Sequence, residues 1–241
     1  MASESTWDRQ ADRWVRWVRT PGHDAYWFYR EAFFDGIVPA PGRRTLEVGC
    51  GEGRVARDLA GRGHAVVALD ASAALVGHAA AADPAGRYLV ADAAALPFPD
   101  ASFDAVVAYN SLMDVSDMPA AVAEAARVLL PTRPLCVCVT HPTADAGRFA
   151  GTEPDAPFTI QDSYLGRHRL EETFERDGLE FTFAGWRYAL EDYARAVEAA
   201  GLLLDRIREP AATQAAVDRR PSYRRWRRLP MFLHLRAVKR A

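Results

Sequence analysis

The chain has 241 residues, 49% of them hydrophobic and 26% charged, enough for one α/β domain with a full core or for a domain plus a lid. A net charge of −2 supplies no global field to draw in nucleic acid or an anionic membrane, and no apolar run approaches the roughly 20 residues of a membrane span. The first residues carry no basic stretch followed by an apolar one, and three cysteines make an odd set without a disulfide framework, so a cytoplasmic protein is expected.

Residues 5–19 read as a helix with Trp7, Trp14 and Trp17 at near-helical spacing, capped by Ser5 or Thr6. Pro21-Gly22 breaks it. Asp24 to Phe34 is a second helix crowded with rings, among them Tyr26 and Tyr29, which either wall an apolar pocket or belong to the core. Pro39-Ala40-Pro41-Gly42 is a linker.

From Thr45 strand and helix alternate, the pattern of a parallel sheet with crossover helices. Thr45–Val48 is a short strand running into Gly49-Cys50-Gly51-Glu52-Gly53, and a helix follows over 54–62. Glycines let another molecule's atoms lie against the backbone, and amides at a helix start favour an anionic group. The dinucleotide fingerprint needs a third glycine where Arg54 stands. Strand 66–70 ends in Asp70, about twenty residues past the glycines, where an acid accepts hydrogen bonds from ribose hydroxyls. Helix 73–82 leads to a third strand ending in Asp92, whose carboxylate suits the exocyclic amine of adenine. Phe103–Tyr109 is the fourth strand, and Asn110-Ser111-Leu112-Met113-Asp114 opens a loop at the sheet's carboxyl edge. Helix 118–129 and strand Leu135–Thr140 follow, and His141 then stands at the functional edge. A histidine there either acts as a general base or holds the loop. Cys136 and Cys138 share one side of their strand; with no fourth ligand at metal spacing they read as small buried residues, not a metal site.

Glu47, Gly49, Gly51, Asp70, Asp92 and the run Leu96-Pro97-Phe98-Pro99-Asp100-Ala101-Ser102-Phe103-Asp104 resemble the class I S-adenosylmethionine-dependent methyltransferases, in their small-molecule branch. The resemblance implies an α/β, Rossmann-like sheet of seven mostly parallel strands, helices on both faces, and an antiparallel last strand inserted between the fifth and sixth. It implies S-adenosylmethionine held by Trp14, Glu47, Gly49, Cys50, Gly51, Asp70, Ala71, Asp92, Ala93, Asn110 and Ser111. It divides one domain, 1–241, into a helical cap (1–40), a cofactor core (45–141), a lid or substrate insertion (143–185) and a C-terminal part of the sheet (190–241). Where the family has an Arg-Val-Leu-x-Pro-Gly-Gly turn, this chain has Arg127-Val128-Leu129-Leu130-Pro131-Thr132-Arg133-Pro134. Without glycines that turn must take another shape.

The insertion reads as weakly regular, with an added strand over 181–187. Tyr26, Tyr29, Met113, Tyr164 and Trp186 are candidate acceptor contacts, and His141 the candidate catalytic base. Helix 190–200, strand Leu202–Arg208 and strand Met231–Val238 complete the chain. The leading reading is methyl transfer to O, N or C of a small aromatic or apolar metabolite in secondary metabolism, by a monomer or homodimer. Three alternatives stand beside it. One is an RNA-directed enzyme using the six arginines of 219–228, the second a nicotinamide-dependent oxidoreductase, and the third a binding protein that kept the cofactor without transfer.

Overall fold

The computed structural model describes residues 6–241; the capping role considered for Ser5 lies outside them. Helix α1 (Thr6–Arg19) buries Ala11, Val15, Trp17 and Val18 on one face. Helix α2 (Tyr26–Gly36) follows. Strands and helices then alternate: β1 (Thr45–Val48), α3 (Arg54–Gly61), β2 (Val66–Asp70), α4 (Ala73–Ala82), β3 (Tyr88–Val90), β4 (Ala105–Tyr109), α5 (Met118–Val128) and β5 (Pro134–Thr140). After an insertion come α7 (Leu190–Ala199), β10 (Leu202–Arg208), α8 (Gln214–Arg219), a 3₁₀ turn (Pro221–Arg227) and β11 (Phe232–Lys239).

The seven-stranded sheet has the order β10-β11-β5-β4-β1-β2-β3. β1, β2, β3, β4 and β5 pair in parallel, and β11 runs antiparallel between β5 and β10. This is the topology the resemblance implied. Each residue of β1 and β4 is buried, because helices cover both faces of a parallel sheet.

Alternation along the strands sorts two cores. Val106 and Ala108 face α5 and α7, while Val107, Tyr109, Cys136 and Cys138 face α2 and α3. Tyr26, Tyr29 and Phe33 of α2 are almost wholly buried there, edge-on to Tyr109, Phe232 and His234. A buried phenylalanine of this kind contributes about 1.5–3 kcal/mol, so the ring density of α2 is that of a core. Among the described residues no group of side chains is suited to a metal ion, and no helix is long and apolar enough to cross a membrane.

Residues 143–185 are more regular than the sequence suggested. They hold a short helix α6 (Pro142–Asp145), a small hairpin β6 (Gly147–Phe149) and β7 (Phe158–Ile160), and a long hairpin β8 (His168–Arg176) and β9 (Leu179–Arg187). β8 is polar on one face and carries only Leu170 and Phe174 as apolar residues on the other, so its period-two signal is weak. The turn is the clearer mark: Asp177 and Gly178 both have positive φ, 52° and 75°, as a tight hairpin turn requires. β9 lies against α1, bringing Trp14 to 5.1 Å from Phe181 and Trp7 to 6.1 Å from Phe183.

Candidate active site

The carboxyl ends of β1, β2, β3 and β4 open into a cavity of about 670 Å³, within the usual range for small-molecule sites. Its floor is the glycine loop. Gly49 has φ 75° and packs so closely on the loop after β4 that an added Cβ would lie 2.2 Å from Ser111 Cβ. Ser111 fastens the same contact, its hydroxyl donating to Val48 O at 2.6 Å. Gly51, φ 53°, donates its amide to Asp70 Oδ2 at 2.8 Å. An added Cβ on Gly51 would meet only Trp14 Nε1, at 3.8 Å. The crest of the loop is thus bare toward the cavity, with the Trp14 indole above it.

Asp70 also accepts from Ser72 N at 2.9 Å, and burial raises its pKa against the pull of these backbone donors. Asp92 accepts from Ala94 N at 2.9 Å. Glu47 is 1% exposed, and its Oε2 has no hydrogen-bond partner. Burial, reinforced by the Asp70 charge, pushes its carboxyl up to about 8. Asn110 sits at φ 49°, a strained conformation that recurs beside ligands. The Cys50 thiol is pushed far up by burial and is not a nucleophile.

Trp14, Glu47, Gly49, Cys50, Gly51, Asp70, Ala71, Asp92, Ala93, Asn110 and Ser111 all line this cavity, and so does Met113. The other candidates do not. Tyr26 donates its hydroxyl to Asp58, and Tyr29 is in the core beneath the sheet. The Tyr164 hydroxyl accepts from Leu190 N at 3.3 Å. Trp186 carries the Arg167 guanidinium 3.5 Å above its ring and donates its amide to Met113 O. His141 caps α6: Nδ1 accepts from Thr143 N at 3.1 Å and Nε2 meets Glu209 Oε1 at 2.9 Å. Both ring nitrogens are engaged, burial lowers the pKa, and the residue stands off the cavity wall. It holds the loop, and its assignment as general base is withdrawn.

Sequence reasoning missed several wall residues. Arg54 stands where a dinucleotide fold needs glycine; it pairs with Asp24 at 2.9 Å and lies 4.4 Å over the Tyr26 ring. Asp114, Asp145, Phe174, Phe181 and Phe183 also line the cavity. The spacing Phe181-Thr182-Phe183, two rings on one face of a strand, was the available signal. Of the arginines at 219–228, Arg225 and Arg228 donate to Gly151 O and Ala156 O and brace the β6–β7 segment, and Arg227 donates to Ala212 O. Arg219, Arg224, Arg227 and Arg228 remain exposed.

A parallel sheet with a reversed last strand, a glycine loop after β1 and an acid ending β2 define a nucleoside-binding class of α/β protein. Residues 46–136 match the Methyltransferase domain family Methyltransf_11, and the chain is similar to S-adenosylmethionine-dependent methyltransferases. Over 126 residues it is 36% identical to a demethylmenaquinone methyltransferase of Renibacterium salmoninarum, covering 52% of this chain and 53% of that one. Over 101 residues it is 39% identical to a malonyl-[acyl-carrier protein] O-methyltransferase of Erwinia pyrifoliae, covering 42% and 38%. The chain thus spans about half or less of these curated relatives. Its fold resembles an S-adenosylmethionine-dependent methyltransferase from Mesorhizobium loti, with TM-score 0.72 and 24% identity over 90% of this chain and 98% of that one.

The wall residues fit the superfamily's cofactor, S-adenosylmethionine. Glu47 presents a buried oxygen without a partner, Gly51 leaves its crest open, and two strand-end acids stand in the order a sugar and a base require.

Proposed function

We propose that the protein transfers a methyl group from S-adenosylmethionine to an oxygen, nitrogen or carbon of a small aromatic or apolar metabolite. The place we give it is secondary metabolism, in the cytoplasm, as a monomer or homodimer. The observation that carries the reading is the link between Gly51 and Asp70, which joins the glycine loop and the second strand into one cradle. The similarity to a demethylmenaquinone methyltransferase and to a malonyl-[acyl-carrier protein] O-methyltransferase supports a small acceptor group.

When bound, the cofactor would supply a methyl group on a cationic sulfonium, open to in-line displacement with the neutral thioether as leaving group. The chain's part is to bind and orient. Asp70 would accept from the sugar hydroxyls and Asp92 from the base, while the amides of Gly49, Cys50, Gly51 and Gly53 are spent on holding the loop itself. The unpartnered Glu47 oxygen suits the ammonium. Trp14 offers a ring face to a cation. α1 and the β8–β9 hairpin roof the cavity with Trp7, Phe181 and Phe183, keeping water from a step in which charge is lost. Positioning of this kind contributes up to roughly 7–11 kcal/mol in favourable reactions, so no universal catalytic base is needed. In this reading residues 1–40 cap the site, 45–141 hold the cofactor, 143–185 cover the acceptor, and 190–241 complete the sheet.

Isothermal titration with S-adenosylmethionine, S-adenosylhomocysteine and NAD tests the assignment. We expect the first two to bind and NAD not to. A folded protein that binds NAD and neither sulfur nucleoside removes it.

A further inference from the structure

The sheet order separates two ends of the cavity. The glycine loop, Asp70 and Asp92 sit over β1, β2 and β3, the cofactor side in the reading above, on which this inference rests. The other end lies beyond β4 and β5. Two carboxyl groups stand there: Asp114, in the loop after β4, and Asp145, at the end of α6 just past β5.

Neither carboxylate has a hydrogen-bond partner among the described residues. Asp114 Oδ1 is sealed from solvent without one, packed where an added Gly185 Cβ would approach it to 2.9 Å. Burial drives the Asp114 carboxyl well above the usual carboxylate range, with Asp70 and Asp145 adding to the rise. Burial likewise raises Asp145, to about 7, against the pull of Arg148 and Arg187. Each of those cations also has an acid of its own. Arg148 pairs with Glu172 at 2.6 Å, and Arg187 with Asp162 at 3.1 Å. Arg169, on the same wall, has its guanidinium over the Trp186 ring at 5.2 Å. Two carboxyls raised by burial, one of them with a sealed oxygen that has no partner, favour a ligand that brings positive charge.

One ring of the hairpin stands at that wall: Phe183 Cζ and Asp114 Oδ1 would each lie 2.9 Å from a Cβ added to Gly185, while the stacked Phe174 and Phe181 pack further along the hairpin on Trp17 and Trp14. An aromatic ring and desolvated carboxylates together make a site for an organic cation.

We infer that the acceptor is an aromatic or apolar amine, bound as its ammonium ion by the Asp114 and Asp145 carboxylates beside the Phe183 ring; for transfer to nitrogen, one of these carboxylates takes the ammonium proton before the freed lone pair accepts the methyl group. A carboxylate-bearing acceptor meets like groups there and is expected to bind less well than an amine. This narrows the acceptor class that the cofactor motifs leave open.

Fragment binding tests the inference without knowledge of the natural acceptor. Benzylamine and phenylacetate, matched in size and opposite in charge, are titrated near neutral pH into protein saturated with S-adenosylhomocysteine, with wild type beside Asp114→Asn and Asp145→Asn. We expect benzylamine to bind at least about tenfold more tightly than phenylacetate. Each substitution should cut that affinity several-fold and leave S-adenosylhomocysteine affinity within about twofold, which also shows that the variants fold. Phenylacetate binding as tightly as benzylamine overturns the inference. So does benzylamine failing to bind, or binding equally well to both variants. Loss of S-adenosylhomocysteine affinity in place of benzylamine affinity assigns the acids to the cofactor and overturns it too. Failure of wild type to bind S-adenosylhomocysteine is a different result and removes the methyltransferase reading itself.

Discussion

Asp70 accepts the Gly51 amide at 2.8 Å while its other oxygen accepts the Ser72 amide at 2.9 Å. One carboxylate therefore fixes the glycine loop and the start of α4 together. Replacing it should act on both binding and folding. We expect Asp70→Ala to lower S-adenosylmethionine affinity at least about tenfold by titration, through loss of the sugar contact and a loosened loop. Unchanged affinity would mean that the sugar is held elsewhere.

Gly49 tolerates no side chain. Its φ of 75° and the 2.2 Å approach of Ser111 Cβ to any added Cβ are both prohibitive. Gly49→Ala should cost about 2–4 kcal/mol in stability, read by denaturant unfolding, because strain and a backbone shift add. A variant as stable as the parent would show that the β4 loop is free to move.

Glu47 sets a pH dependence. Its folded pKa of about 8 lies above the ordinary 4.5, so the native chain holds a proton that the unfolded chain releases. Between those values its contribution to native stability falls as pH rises. Glu47→Gln should raise the melting temperature of the ligand-free protein above about pH 8 and change it little near pH 5, as scanning calorimetry at the two pH values would show. The same substitution should weaken cofactor binding. Equal shifts at both pH values would contradict a buried, unpaired carboxyl.

Thr132 lies in the glycine-free turn between α5 and β5. It adopts φ 64°, a conformation rarely open to a β-branched residue, and its amide donates to Lys239 O at 3.0 Å. Thr132→Gly keeps that bond and relieves the strain. A gain of about 1 kcal/mol in unfolding free energy is expected, net of the greater freedom of glycine when unfolded. Destabilisation would show that the threonine side chain contributes more than its backbone costs.

The sheet and its cofactor edge were legible because each signal is local. Thr45–Val48, the glycines and the terminal acids Asp70 and Asp92 lie within single strand–loop–helix units whose patterns do not depend on distant contacts. The acceptor side was harder. Tyr26 and Tyr29 have the same ring-rich spacing whether they wall a pocket or pack a sheet, and the structure puts them in the core. His141 stands at the functional edge, but its ring is turned to Thr143 and Glu209, and Glu209 is far away in sequence. Phe181 and Phe183 reach the cavity only because β9 pairs with β8 through the Asp177-Gly178 turn and docks on α1. Asp145 gains its raised pKa from burial, which no local pattern encodes.

The most direct measurement is a crystal structure of the protein with S-adenosylhomocysteine. We expect the sugar hydroxyls within hydrogen-bonding distance of the Asp70 carboxylate, the adenine beside Asp92, and the sulfur turned toward the end walled by Asp114 and Asp145. A nucleoside bound away from the glycine loop, or lying across it with no contact between its sugar and Asp70, would contradict this.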